Sequence, residues 1–385
     1  MIACAVGKGK SRDAGLAARQ AAEICMRQLD GDPELLLVFA SRTFESSHLL
    51  SELRSLFPHC PLAGCSTAGE IYSDGPDEES LAVIALGQVK ATTALGGFIG
   101  SDGYAAGREL GQQLQGAEAQ LVPLLSDGLV GDGAAVIRGV RESLLPQVPI
   151  FGGAAGDDSR FQRTEIFMGA ERHSGRAAAV GLSGDFVFGL GVRHGWEPVG
   201  LPVRVTKSHG NRLLEMNGVP AIRLYQEYFG EYTERMRTQP LARLAICYPL
   251  GLPVQSSSEY LLRAPLSVEQ DGSIRLTAEI PEGAHVRLMI GSVDSALKAA
   301  RIATLEALSQ MKGRPPRIAV VFSGMARRSL FGPKSREEIQ LIQNILGPSV
   351  PVAGFYGYGE FAPLEGTDAC AACFHNETMA ILLLG

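Results

Sequence analysis

Three carboxylates recur at one spacing in this sequence. Glu70, Asp158 and Glu360 each stand nine residues after a proline (Pro61, Pro149, Pro351), and a glycine stands three residues after the same proline (Gly64, Gly152, Gly354). The segments between them carry hydroxyls (Ser66, Thr67), a second glycine and a further acid (Gly153, Asp157), and two tyrosines (Tyr356, Tyr358). Glycine lets backbone come close to a ligand. Hydroxyls and carboxylates then give that ligand directional contacts. Three such loops converging on one molecule would form a binding site. Ser66 or Thr67 beside Glu70 or Glu360 would instead pair a hydroxyl nucleophile with a carboxylate base, as in a hydrolase. No Gly-x-Ser-x-Gly elbow occurs, and nothing in the sequence identifies the base. Taken singly, the loops also read as tight turns whose carboxylates cap backbone N–H groups. The run from Phe355 to Tyr358 is more aromatic than a turn requires.

Other chemistries are weaker. Gly9-Lys10-Ser11 hints at a phosphate loop, but the glycine that motif needs five residues before Gly9 is Cys4. Cys370 and Cys373 are followed by Phe374 and His375, whereas covalent haem attachment places the histidine directly after the second cysteine. A zinc site would need a second ligand pair at suitable spacing. An axial haem ligand needs one imidazole in an apolar pocket. His194 beside Trp196, His209 in a turn and His375 beside Asn376 are the candidates, each with a hydrogen-bonded structural role as its alternative.

The elements that must position these groups follow from hydrophobic pattern. Each copy reads strand, loop, helix, strand, glycine loop and a further apolar strand. The runs 35–40, 121–125 and 318–322 open the copies, helices fall near 46–56, 134–145 and 335–345, and the strands 81–86, 177–182 and 379–384 close them. These runs are short, nearly continuous and rich in Val, Ile and Leu, the pattern of strands buried on both faces. A helix is expected over 11–29 and another over 292–311. Asp271-Gly272 turns a hairpin, and a strand is expected around Leu244. The fold class is α/β, with mixed sheets flanked by helices in repeated strand-helix-strand-strand units. A length of 385 residues gives two domains, placed at 1–230 and 231–385.

Net charge is −6 with scattered Lys and Arg, which disfavours nucleic acid as a partner. No apolar stretch of spanning length occurs. The N-terminus is unlike a secretory signal, and seven cysteines without a regular framework suit a reducing compartment. The cytoplasm is the expected location.

The combination Pro61–Glu70, Gly152–Asp158, His194-Gly-Trp196, Val205-Thr206 with Asn217–Ala221, Val352–Glu360 and His375–Thr378 resembles the FIST sensory-domain family, over about residues 30 to 385. The resemblance implies a signal-input module for a small ligand such as an amino acid, without catalytic residues. Stand-alone members of one branch are similar to haem-binding nitric-oxide sensors that act on a partner histidine kinase. By that likeness, haem is a candidate cofactor held by one of His194, His209 or His375, and output passes to a partner protein such as a histidine kinase; a homodimer is a candidate oligomeric state. The binding residues expected are Gly64, Ser66, Thr67, Glu70, Gly152, Gly153, Asp157, Trp196, Tyr356, Tyr358, Glu360 and Asn376.

Overall fold

The computed structural model describes residues 2–230, 248–254, 259–364 and 372–385. The strand expected around Leu244, and Cys370 of the cysteine pair, lie outside the described residues. The threefold pattern of the sequence is the plan of the fold. The first repeat runs β1 (Ala3–Gly9), α1 (Ala14–Gln28), β2 (Leu35–Ser41), α2 (Ser46–Leu56), β3 (Leu62–Thr67), the hairpin β4 (Glu70–Tyr72) and β5 (Gly75–Asp77), and β6 (Leu81–Gly87). The second runs β7 (Lys90–Leu95), α3 (Gly103–Gln113), β8 (Val122–Ser126), α4 (Gly133–Ser143), β9 (Ile150–Ala154), the hairpin β10 (Ile166–Met168) and β11 (Glu171–His173), and β12 (Ala177–Ser183).

The third repeat opens with β13 (Phe188–Arg193) and is then interrupted. The interruption is a separate sheet with, among the described residues, one helix: β14 (Trp196–His209), β15 (Arg212–Met216), β16 (Val219–Pro220), α5 (Ile222–Phe229), β17 (Leu250–Pro253), β18 (Tyr260–Arg263), β19 (Pro265–Val268), β20 (Ile274–Leu276) and β21 (His285–Gly291). The repeat resumes with α6 (Val293–Ser309), β22 (Ile318–Gly324), α7 (Met325–Phe331), α8 (Ser335–Leu346) and β23 (Val352–Gly357). It ends with the hairpin β24 (Gly359–Pro363) and β25 (Ala372–His375), and β26 (Met379–Leu384).

Each repeat contributes four strands to its own sheet and lends its hairpin to another. The orders are β1-β6-β2-β3-β10-β11, β7-β12-β8-β9-β24-β25 and β13-β26-β22-β23-β4-β5. One pair in each sheet is parallel (β2 with β3, β8 with β9, β22 with β23). β2, β6, β12 and β22 are buried at every position. Their continuous apolar runs follow, because both faces are covered. The inner faces share one core, centred on the rings of Phe39, Phe151, Phe322 and Phe355, with centroids 4.8–5.9 Å apart. The outer faces pack under α1 and α2, α3 and α4, and α6 to α8.

The glycine three residues after each proline has a structural cause. A Cβ on Gly64, Gly152 or Gly354 would stand 2.0, 1.8 or 1.8 Å from the carbonyl oxygen of Val38, Leu124 or Val321 on the parallel neighbour. The borrowed hairpin sets Phe167, Phe361 and Ile71 opposite these glycines. The boundary expected near residue 230 falls within the inserted sheet, between α5 and β17. Two of the three body sheets draw strands from both sides of it.

Candidate functional site

The three glycine loops follow β3, β9 and β23, at the carboxyl ends of the parallel strand pairs, where α/β sheets commonly bind ligands. They do meet, and they meet as backbone on backbone. Ala68 N–H donates to the Tyr356 carbonyl (2.7 Å), Tyr358 N–H to the Ala154 carbonyl (3.1 Å) and Gly156 N–H to the Ser66 carbonyl (2.9 Å). The cycle is closed, and no cavity separates the loops where they touch. A Cβ on Gly156 would stand 2.5 Å from the Ala68 nitrogen.

This contact fixes several of the expected residues inside the packing. Ser66 Oγ donates to the Gly156 carbonyl (2.7 Å) and accepts from Glu165 N–H (2.8 Å). Thr67 donates to Glu70, whose other oxygen accepts from Ser80 Oγ (2.7 Å) and Ser80 N–H (3.2 Å). Burial pushes the Glu70 carboxyl up to about 8 against these hydrogen bonds. The Thr67–Glu70 pair is a hydroxyl beside a carboxyl, but both residues are fully buried and line none of the clefts found among the described residues. Gly64, Gly152 and Gly153 likewise lie within strands of the sheets.

The spacing that aligned three carboxylates holds for two of them in structure. Glu70 pairs with Phe355 and Glu360 with Gly153, at corresponding places on their hairpins; the corresponding residue of the second repeat is Ile166, paired with Cys65. There the chain takes a longer route through residues 157–164, and Asp158 lies on that loop, accepting from Ser41 Oγ (3.0 Å) and Arg42 N–H (2.9 Å). Asp157 organises the loop. It accepts from the N–H groups of Phe161, Gln162 and Arg163 at 2.6–2.9 Å and from the Tyr358 hydroxyl. Phe161 stacks on Tyr358 at 4.7 Å.

The open space lies beside the loops, beneath the inserted sheet. A cleft of about 410 Å³ is lined by residues 127–133, Tyr358 and Phe374 of the body and by Asn211, Leu266, Arg275 and Thr277 of the insert. A recess of about 50 Å³ adjoins it, sharing Gly128, Leu129, Leu266, Thr277 and Tyr358, and reaches inward to Gly324, Glu360, Asn376 and Glu377. Of the expected binding residues, Tyr358, Glu360 and Asn376 line this space. Asn376 Nδ2 donates to the Tyr358 carbonyl (3.3 Å), and its Oδ1 accepts from Thr277 Oγ1 (2.5 Å), joining insert to body. Arg263 makes a second tie, donating to the Phe374 carbonyl (3.0 Å). Glu360 Oε2 accepts from Thr378 N–H (3.1 Å) and Oγ1 (2.5 Å), while Oε1 is buried without a partner. Burial pushes this carboxyl up to about 8. A larger polar groove of about 930 Å³ lies on the other side of the 157–164 loop, among Lys10, Asp77, Glu78, Arg160 and Arg328.

Trp196 and Tyr356 are buried elsewhere. Trp196 packs with Leu262 and Met289 at the root of the insert, and Tyr356 lies under Arg328, 5.5 Å from ring centroid to guanidinium. The histidines do not converge on a cavity. His194 Nδ1 accepts from Trp196 N–H (2.8 Å) and its Nε2 lies 3.2 Å from Glu259 Oε2. His375 Nε2 lies 3.0 Å from the Ala362 carbonyl. Burial lowers these imidazoles to about 3 and about 4. His209 is exposed at the β14–β15 turn. None of the three lines the clefts described above. Among the described residues, no group of three or more His, Cys, Asp and Glu is placed to hold a metal, and no helix is long and apolar enough to cross a membrane.

Sequence reasoning missed Phe161, Glu377, the 127–133 loop and every cleft residue of the insert. One signal could have found the insert. In the first two repeats the opening strand is followed almost at once by its helix; in the third, residues 196–291 intervene.

The fold and these clefts define a threefold-repeated α/β protein with a ligand-sized space between body and insert. Comparison with known proteins gives its family. The FIST N domain matches residues 34–219 and the FIST C domain residues 221–363, and the chain belongs to the FIST family. FIST domains are associated with small-ligand sensing in signal transduction. An uncharacterized protein of Mycobacterium tuberculosis is 25% identical over 373 residues, 94% of this chain and 96% of its own. An uncharacterized protein of Methanocaldococcus jannaschii is 25% identical over 287 residues, 68% of this chain and 55% of its own. Among solved structures, a cyanuric acid hydrolase from A. caulinodans aligns over 100% of this chain and 99% of its own, at 8% identity and a TM-score of 0.37. That likeness carries no argument about chemistry.

Proposed function

We propose that this chain is a cytoplasmic, non-catalytic sensor that takes a small ligand, such as an amino acid, into the cleft between the body and the inserted sheet. The observation that carries this reading is the shared lining. Residues 127–133, Tyr358 and Asn376 face Leu266, Arg275 and Thr277 across the same space. A ligand touching both sides favours whichever arrangement of insert and body fits it, and only such differential binding moves an equilibrium. A partner protein such as a histidine kinase would read the arrangement. The enclosed state of Ser66 and Thr67 supports a binding role over hydrolysis.

The test is a thermal-shift screen of the full chain against each proteinogenic amino acid, with Leu266→Trp as the blocked variant. At least one compound is expected to raise the melting temperature of the wild type and not of the variant. No shift in the wild type, or equal shifts in both, overturns the reading. Haem and nitric oxide belong to the finer version. Absence of a Soret band after haem addition ends that version alone.

A further inference from the structure

We propose that the recess beneath the insert, which Glu360 and Glu377 both line beside Gly324, binds the protonated amine of a small organic cation with an apolar body. This rests on the cleft being the ligand site, and it narrows the ligand to a chemical class.

The first support is an acceptor without a donor. Glu360 lines the recess, and its Oε1 is buried without a hydrogen-bond partner, although its sister oxygen accepts twice from Thr378. Buried polar groups are nearly always satisfied, so an exception asks what completes it. Space is kept open beside it by Gly324. A Cβ there would stand 3.3 Å from Glu360 Oε1 and 3.0 Å from the Glu377 backbone.

The second support is charge. Glu377 is buried in the same lining, held with φ 60°, and burial, followed by the charge of Glu360, pushes its carboxyl upward. The guanidinium that acts on both is already committed. Arg327 pairs with Glu338 and donates to the carbonyls of His194, Ala296 and Glu377. Two acids therefore share a buried wall whose neighbouring guanidinium is engaged elsewhere. Burial favours the protonated form of both carboxyls when the recess is empty; an ammonium group supplies three donors and a positive charge that draws them to the ionised form, so that Glu360 Oε1 becomes an acceptor for it. Two carboxyls are too few to hold a divalent cation alone, and no third acid or histidine joins them among the described residues.

The third support is shape. One water needs about 10–15 Å³ of such space, so a recess of about 50 Å³ takes only a few heavy atoms. Apolar side chains (Leu129, Phe161, Pro265, Leu266, Met325) form much of the remaining wall beside Thr277, Tyr358 and Asn376, and the recess adjoins the larger cleft. An amine head fits the inner end, with an alkyl body pointing outward.

The full chain is titrated at pH 8 with isobutylamine, isobutanol and isobutyrate, read by saturation-transfer NMR and thermal shift. Isobutylamine is expected to bind at least tenfold more tightly than either other compound, and Glu360→Gln is expected to abolish that preference. The glutamine keeps an acceptor for Thr378. If the variant does not fold, Glu377→Gln serves, with a weakened preference expected. Equal binding of isobutanol and isobutylamine, unchanged in the variant, overturns the amine assignment and leaves the cleft reading intact. No binding of isobutylamine overturns it as well, while the amino-acid screen with Leu266→Trp judges the cleft independently.

Discussion

Glu70 and Glu360 are buried acids held protonated near neutrality, and this makes a pH prediction at the scale of single residues. Both carboxyls rise from 4.5 to about 8, chiefly by burial. A raised folded pKa means that the folded state holds the proton more tightly. Its contribution is fully present below about 4.5 and is lost as pH rises through about 8. His194 and His375 are shifted the other way, from 6.5 to about 3 and about 4. Their contribution is present above 6.5 and lost as pH falls through the lowered values. Between 4.5 and 6.5 the raised acids and the lowered imidazoles act with opposite slopes and offset each other. From 6.5 to 8 only the acids act, each at about 1.4 kcal/mol per pH unit. Urea unfolding should therefore show stability falling from pH 6.5 to 8. Glu70→Gln keeps an acceptor for Ser80 and turns an amide toward Thr67, whose hydroxyl then accepts where it donated before, and should shed the Glu70 share of that fall, about 1.4 kcal/mol per pH unit. An unchanged slope in the variant would show that Glu70 is not protonated in the folded state.

At the scale of elements, the repeated glycines act through sterics. Gly354→Ala places a methyl 1.8 Å from the Val321 carbonyl oxygen, so the parallel pair β22–β23 must separate. Overpacking in a core costs about 1–3 kcal/mol, and a backbone clash belongs at or above the top of that range. Gly153→Ala meets the Phe355 ring at 3.0 Å, where a side chain can give way, and should cost less. Urea titration of both variants checks the order; equal losses would refute it. The same glycines show what was legible beforehand. Their spacing and the apolar runs around them exposed the threefold plan, because parallel strands buried on both faces leave a dense signature. The helix over Ser46–Leu56 was legible for a similar reason, being amphipathic and bounded by loops. The exchange of hairpins was not, since β4, β10 and β24 pair with strands far away in sequence and their own residues do not say which. Nor was the cleft. Asp158 keeps the sequence spacing of Glu70 only because the longer second loop happens to put an acid there, and Leu266 and Thr277 belong to an insert that breaks the repeat.

At the scale of the molecule, the hairpin exchange ties the two family segments together. A chain ending at residue 220 retains β8 and β9 but lacks β24, the strand beside β9. It also retains β13, β4 and β5 without β22, β23 and β26, the strands that join them into one sheet. The common core loses Phe322 and Phe355, half of its central rings. Open strand edges and uncovered apolar faces pair with other chains. Fragment 1–220 is therefore expected to aggregate or to lack a cooperative melt in far-UV circular dichroism, although a family domain ends there. Co-expression with 221–385 is expected to restore a soluble one-to-one complex, because each piece supplies the strands that the other lacks. A monomeric 1–220 fragment with a sharp thermal transition would show that the first two repeats close on themselves. The exchanged hairpins would then be dispensable, and the insert could move with the whole C-terminal piece instead of against the body.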